Sequence, residues 1–586
     1  MKKLLLGTAL ILTSFIVWFV VQGFVIPDEQ PTATQQPTEQ IVRNPALEIS
    51  GIVVPHHDIV RERRAQFFKE LHDRFFSSNN PETIILISPN HFEQGRANIQ
   101  ITHKVWRTDQ GAINPARTVI SSLINEGVAS EETDSFTREH GIALILGNIK
   151  RTFPAATLVP VIVKRQTTLK EIERLSTALN SACRSCIVVA SVDFSHYQPA
   201  LLGNLHDQLS LRALQNRDVA TLYNHVEADS PASLALLARW ATLHNTNQFK
   251  TFDHTNSGAI TNRPDEEATT HLFGWYEQGA PTIPEESVTF AVAGDMMFGR
   301  AVGYHYEKKG FTKLFDTFGD RVFWGVDAAI ANLEGPISAQ RVIYDKELRS
   351  LSFLFPKTSI DALTFLHLDG VSVANNHTLN HGSKGLKETR DLLKENDITS
   401  IGDPARVTDA SVTYFDGEGL RLAVIGVNVL SGSDGTTTLI KKIKRDPLNR
   451  VLIFPHWGSE YALQHSPAQE ALAQQWIDAG ADAIIGAHPH VVQDIGAYKG
   501  KPIVYSLGNF IFDQTFSKET QTGLIVAGSF DDEGLSLYLF PHHSSHYQPA
   551  LLRDEEKKKI IDRITKDVNS YLKSSDAGTF LFFPKQ

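Results

Sequence analysis

Cysteine is nearly absent from this chain of 586 residues: there are two, Cys183 and Cys186, in the word ACRSC. So small a supply excludes a disulfide-knit scaffold, and no second Cys or His pair follows at finger spacing to complete a structural zinc site. The pair stands at the entry to an expected strand, not at the helix amino terminus that activates a thioredoxin-like thiol, so a small local disulfide is expected. An arginine-rich block and a platform of stacked aromatics are also missing. With a net charge of −10, these absences exclude a general nucleic-acid surface. Long apolar runs are missing too, except over residues 4–26 behind Lys2 and Lys3.

That exception is broken only by Gly7, Thr8, Thr13, Ser14, Gln22 and Gly23. As a helix it would be about 34 Å long, enough to cross a bilayer core and longer than a secretory h-region. The lysines place its amino end in the cytoplasm and everything after it outside. An uncleaved signal anchor over 1–26 is the expectation; a cleaved signal peptide ending near Gly23 is the competing reading. Residues 27–45 are rich in Pro, Thr and Gln and read as an extended linker. The remainder, in a chain 42% apolar and 21% charged, has ordinary globular composition and is too long for one core. The Pro/acidic stretch GAPTIPEES at 279–287 divides it into regions 46–280 and 286–540. A carboxy-terminal extension, 541–586, carries Ile560, Ile561, Ile564 and Val568 at helical period.

In the second region seven apolar runs end in polar, metal-competent clusters: AVAGDMM (Asp295), AAIANLE (Asn332, Glu334), VSVANNH (Asn375, Asn376, His377), LAVIGVN (Asn428), VLIFPHWGSE (His456, Glu460), AIIGAHPH (His488, His490) and IVYSLGNF (Asn509). Short apolar runs bounded by Gly, Asn or Asp read as buried strands of an α/β sheet, whose functional residues sit beyond the strands' carboxyl ends. Chain-distant Asp, Asn, Glu and His then meet on one rim. Carboxylate and amide oxygens with neutral imidazole suit Mn, Zn, Fe or Mg. The first region repeats the pattern: PHHD (His56, His57, Asp58) follows GIVV, SPNH (Asn90, His91) follows ETIILI, and SVDFSH (Asp193, His196) follows CIVVA.

The words GDMMFGR at 294–300, NLEGPI at 332–337, NNHTLNHG at 375–382, HWGSEY at 456–461, GAHPHVVQ at 486–493 and YSLGNFIFDQ at 505–514 resemble the CapA (poly-γ-glutamate capsule biosynthesis) proteins of the calcineurin-like metallophosphoesterase superfamily. The resemblance implies an α/β/β/α sandwich holding one or two divalent ions. Asp295 would serve the first metal, Asn332 or Glu334 would bridge, and Asn376, His456 and His488 would serve the second metal, with His490 returning to the first. His377 is similar to the histidine that assists the leaving group. The superfamily's Asp-x-His opening is here Asp295-Met296-Met297, which lacks one imidazole.

PHHD, SPNH and SVDFSH, with TREHGIALIL (His140) and DHTNSGAI at 253–260, resemble the Memo-like family (AmmeMemoRadiSam system protein B), related in fold to class III extradiol dioxygenases. That resemblance implies a further metal site of His56, His91 and His196. Its usual fourth group, a cysteine four residues before a proline, is Glu227 here, counting back from Pro231, with Asp229 as a competitor. One oddity is outside both resemblances: SHYQPALL occurs at 195–202 and again at 545–552.

The expected protein is a two-domain α/β chain behind one transmembrane helix, single-pass in the cell membrane with both domains outside the cytoplasm. Its expected activity is metal-dependent hydrolysis or transfer on a cell-envelope polymer or a small-molecule substrate. The alternatives are a non-catalytic tethering or export component of capsule assembly, and a redox or dioxygenase-type metalloprotein acting through the first region.

Overall fold

Four runs, Ile49–Val54, Thr83–Pro89, Thr157–Val163 and Cys186–Ser191, are apolar almost throughout because both of their faces are covered. The computed structural model describes residues 47–76, 80–340, 342 and 351–585. In the first domain the four strands lie parallel in the order Ile49–Val54, Cys186–Ser191, Thr83–Pro89, Thr157–Val163, and antiparallel Ala268–Glu277 and Gln248–Asn256 extend one edge. Successive residues serve opposite faces: Val53, Ile85 and Val188 join one apolar cluster, Ile52, Ile84 and Val189 the other. Cys183 and Cys186 form the expected disulfide at the turn from helix Leu169–Ala182 into strand Cys186–Ser191.

The second domain stacks two sheets. One runs Thr399–Ile401, Gly370–Ser372, Ala328–Leu333, Val288–Met296, the first four strands parallel, and then antiparallel Thr522–Phe530 and Gly534–Ser545. The other has parallel Arg421–Asn428, Asn449–His456, Ala483–Ile485 and Lys501–Val504 at its centre. Val288, Phe290 and Val292 meet Leu422, Val424, Leu452 and Phe454 between the sheets, while Ala291 and Ala293, one residue out of phase, face an outer helical layer. On the far side Ile425 and Ile453 are covered by helices Thr436–Ile443 and Pro467–Ala479. This is the expected α/β/β/α layering.

The carboxy-terminal segment 541–585 builds onto the second domain: strand Gly578–Pro584 pairs with Gly534–Ser545 and continues the first sheet, and helix Asp554–Ile564 buries Ile564 in the inter-sheet cluster. The domains, moreover, share a core within the compact unit Arg43–Gln586. Helix Ala200–Asn216 of the first domain is buried on nearly every side. Its Leu201, Leu202 and Leu205 enter the same cluster as Ala291, Phe315 and Ala527 of the second domain. Further along one face, Gln208 hydrogen-bonds with Ser529 and Arg212 Nη2 donates to both carboxylate oxygens of Asp327 (2.9 and 2.7 Å). Both SHYQPALL copies end on that cluster: Leu201 lies in it, Leu551 and Tyr547 pack against it, and Tyr197 and Tyr547 share a left-handed turn (φ 61° and 69°). The expected membrane helix 1–26 and linker 27–45 lie outside the described residues, among which no helix is long and apolar enough to cross a membrane.

Candidate metal centres

Strand register assembles the second domain's rim. Asp295 pairs in the sheet with Asn332 on one side and Asn509 on the other, and in the second sheet Asn428 is opposite His456, whose next neighbour is Ala487. The two strand edges approach so closely at Gly294 that a Cβ there would run into the carbonyl of Gly508. His488 and His490 stand at φ 99° and 58°, a left-handed stretch that folds the chain back and turns His488 N–H onto Asp295 Oδ2 (3.2 Å).

Two donor groups result, each with ligand atoms within 4.8 Å of one another: Asp295, Glu334 and His490, and Glu334, His456 and His488. Glu334 belongs to both. Asn332 does not bridge; its amide donates to Asp295 Oδ1 (2.8 Å) and lies 3.3 Å from His456 Nδ1, so it orients ligands. Asn376 meets His456 Nε2 through Oδ1 (2.8 Å). Asn509 Oδ1 accepts from His490 Nδ1 (2.9 Å), which leaves His490 Nε2 facing Glu334 Oε1 at 3.6 Å. Met297, where the resemblance expects an imidazole, is buried and its sulfur accepts from Gly299 N–H, yet the first group still has three donors.

Electrostatics separates these residues. Burial, with Asp295 and Glu460 nearby, pushes Glu334 well above the usual carboxylate range. Burial and the neighbouring His488 and His490 hold His456 well below 6.5, and burial and His490 bring His488 to about 4. For His490 burial opposes charge, but Glu334 and Asp295 outweigh it and raise the imidazole to about 9. Both Glu334 oxygens and His488 Nδ1 are buried without a hydrogen-bond partner. Unpaired buried carboxylate oxygens beside neutral imidazoles are what a divalent cation requires, so the residues present fit one.

His377 stands just outside. Its ring stacks on Phe353 (4.0 Å), its Nε2 is 3.9 Å from Glu334 Oε1, and its Nδ1 meets Asn380 Oδ1 (3.1 Å). Because Asn380 Oδ1 also accepts from Phe353 N–H, it is the oxygen that faces His377; Nδ1 therefore carries the hydrogen and Nε2 the lone pair. Asn375, named in its strand-end cluster but given no role of its own, proves to organise the site. Buried, it ties Asn332 Oδ1 to the turn by accepting from the backbone N–H of His377 and Thr378. Its place in the NNH word was the available signal.

The first domain brings His56 and His91 together but not His196 or Glu227. His56 Nε2 is 3.2 Å from both Asp193 Oδ2 and Asp229 Oδ2, and His91 Nε2 is 3.7 Å from Asp229 Oδ2. The groups with metal-holding spacing are His56, His91, His140 and His56, Asp193, Asp229. Glu227 is already engaged: fully buried, it takes His206 Nδ1 (2.9 Å), Arg321 Nη1 (2.8 Å) and the His196 N–H (2.9 Å), and against the cost of burial His206 and Arg321 lower it to about 2. His196 keeps a buried Nδ1 without a partner and joins neither group. Asp229 takes the acid's place; its buried Oδ1 is unpaired, so this cluster also fits a cation, with oxygen where the family pattern has a thiolate.

Taken with the fold, these clusters describe a two-domain α/β protein with a histidine–carboxylate centre at the strand ends of each domain. Residues 23–269 match the family described as Memo-like protein, and residues 289–514 match the family described as Bacterial capsule synthesis protein PGA_cap. Capsule biosynthesis protein CapA of Bacillus anthracis is 29% identical over 306 residues, 48% of this chain and 74% of that protein. PGA biosynthesis protein CapA of Bacillus subtilis (strain 168) is 27% identical over 320 residues, 50% of this chain and 82% of that protein. On the amino-terminal side a MEMO1 family protein of Pyrobaculum arsenaticum is 28% identical over 178 residues, 30% of this chain and 62% of that protein. The chain thus carries a region that matches the Memo-like family followed by one that matches the PGA_cap family.

Proposed function

We propose that the second domain is a metal-dependent hydrolase or transferase in the biosynthesis of a cell-envelope polymer of the poly-γ-glutamate kind. The observation that carries the chemistry is Glu334, shared by two donor groups and buried with both oxygens unpaired. Divalent cations bound there would act as Lewis acids on a phosphoester or γ-glutamyl amide oxygen. The chain's own contribution is orientation and proton transfer. Asn332, Asn375 and Asn509 fix the ligating side chains, and His377, held below 6.5 chiefly by burial, presents a neutral Nε2 to take a proton from an entering group. The polymer class is supported by the printed names of the two CapA relatives.

We further infer that residues 1–26 anchor the protein in the cell membrane with both domains outside, a reading supported by the apolar run behind Lys2 and Lys3. Metal analysis of the purified chain, with a screen of phosphoesters and γ-glutamyl amides, tests the chemistry. Bound metal and turnover lost together in Glu334→Gln support it; bound metal with no turnover on either class removes the enzyme and leaves a tethering component. Recovery in a membrane pellet that resists salt and alkali supports the anchor, and a soluble mature protein beginning near residue 24 overturns it.

A further inference from the structure

We propose that Arg321, a residue of the second domain, is a positioning residue for the metal cluster of the first domain, so that this cluster takes its geometry only in the joined chain. The proposal rests on reading the His56 cluster as a cation site.

The argument starts from a short loop. Residues 225–230 join helix Val219–Asn224 to helix Pro231–Leu243 and are held at both ends: the His225 and Val226 N–H groups donate to Thr221 O (2.9 and 3.2 Å) at the close of the first helix, and Ser230 caps the second, which opens on Pro231. Between these fixed ends, two acids two residues apart turn to different partners. Asp229 turns to the cluster, its Oδ2 3.2 Å from His56 Nε2 and 3.3 Å from the Asp193 N–H, while its own N–H donates to Asp193 O (3.0 Å). Glu227 turns to the domain interface, where it is fully buried and its oxygens meet His206, Arg321 and the His196 N–H.

Arg321 comes from across that interface. Its guanidinium also lies over the rings of Tyr197 (5.9 Å) and Trp324 (5.7 Å), and Trp324 stacks on His367 (4.9 Å). Gly325, at φ 85°, sets the loop's backbone against the first domain; a Cβ there would be 3.0 Å from His206 Cβ and 3.4 Å from Glu227 Cβ. A buried carboxylate that loses its cation must reprotonate or move toward water. In a loop pinned at both ends, movement of Glu227 displaces Asp229 from His56 and frees the backbone of His196. Groups that orient ligands in this way govern metal affinity without touching the metal.

The test is Co²⁺ titration of the full chain by visible absorption, with His56→Ala supplying the spectrum that lacks the first-domain site. Arg321→Ala is expected to weaken the His56-dependent site by about 10- to 100-fold, to leave the remaining Co²⁺ binding within about twofold, and to be partly rescued by Arg321→Lys. A merely structural ion pair would lower the melting temperature and leave Co²⁺ affinity alone. Should Arg321→Ala fail to fold, Glu227→Gln, which keeps the shape and removes the charge, is expected to give the same selective loss. Unchanged His56-dependent affinity in the variants that fold overturns the proposal, as does equal weakening at both sites. A wild-type chain with no His56-dependent Co²⁺ site overturns the cation reading beneath it.

Discussion

In the second domain one carboxylate, Glu334, stands between two donor groups and receives no hydrogen bond; in the first, Asp193 and Asp229 both lean on a single imidazole, His56. Both sites are built by one device, apolar parallel strands whose carboxyl ends carry the polar residues. They differ in what satisfies the charge. A protonated His56 between two aspartates forms an ion-pair network that leaves only Asp229 Oδ1 of those two acids buried and unpaired, and against burial those aspartates do raise its pKa. Glu334 has His490 Nε2 nearby, at 3.6 Å and not in hydrogen-bond contact, and burial with Asp295 and Glu460 still pushes its pKa up. The first cluster can therefore meet more of its charge from its own protons, whereas both Glu334 oxygens are left without a hydrogen bond.

The sharpest way to break that contrast is to remove one carboxylate from each site. Glu334→Gln is expected to abolish binding at both second-domain groups and to lower turnover by about 10³-fold or more, because it removes the shared ligand. Asp229→Asn should leave second-domain turnover unchanged. Metal content by elemental analysis and steady-state kinetics decide; a large turnover loss in Asp229→Asn would mean the sites are chemically coupled. Next in size is His377→Ala, expected to lower turnover by about 10²-fold at unchanged metal content, since this imidazole moves protons and does not ligate. Metal lost along with turnover would place His377 among the ligands.

Most of the second site was legible in the sequence because its ligands end a strand or follow one closely. Asp295 and His456 needed no knowledge of loop geometry, whereas His488 and His490 are placed by a left-handed stretch beyond their strand. Asn332 and Glu334, two residues apart on one run, could not be ranked as bridge without the register that turns Asn332 onto Asp295. In the first domain, counting back from Pro231 put Glu227 first and left Asp229 as its competitor, because the deciding partner, Arg321, lies 94 positions from Glu227 in another domain. The shared core was equally hidden. Leu201, Leu205, Gln208 and Arg212 do recur at helical spacing, but nothing local says that this face meets a second sheet instead of its own.

That shared core makes the next prediction. Arg212 and Asp327 are both more than nine-tenths buried, and Asp327 also accepts from Thr289 N–H and Oγ1. Arg212→Ala leaves that acid buried and unpaired, and a loss of about 3–5 kcal/mol in urea unfolding is expected. Lys387→Ala, at the exposed pair with Asp391, serves as the control and should leave the urea midpoint unchanged. A small effect at Arg212 would show that the other contacts between the domains, the apolar ones of helix Ala200–Asn216 and the Glu227–Arg321 pair among them, hold the joint without it.

The smallest expected effect concerns the acid beside that pair. Asp369 accepts from Ala329 N–H (2.8 Å) but has no cation; burial, with Asp327 adding repulsion, pushes it up to about 7 from an ordinary 3.8. A carboxyl whose pKa is raised by folding favours the folded state below 3.8, and that contribution is lost as pH rises through about 7. Wild-type stability should therefore fall between pH 5 and pH 8 by on the order of 2 kcal/mol on this account, after a discount for solvent reaching part of the carboxylate. Asp369→Asn keeps an acceptor for Ala329 N–H and never ionises, so its gain over wild type should vanish below pH 3.8, be present but partial at pH 5 and be largest at pH 8, read as the difference between urea midpoints. Arg212→Ala should steepen the wild-type decline, because an unpaired Asp327 repels Asp369 more strongly. A gain from Asp369→Asn that is the same at both pH values would mean that the carboxyl does not titrate in this range.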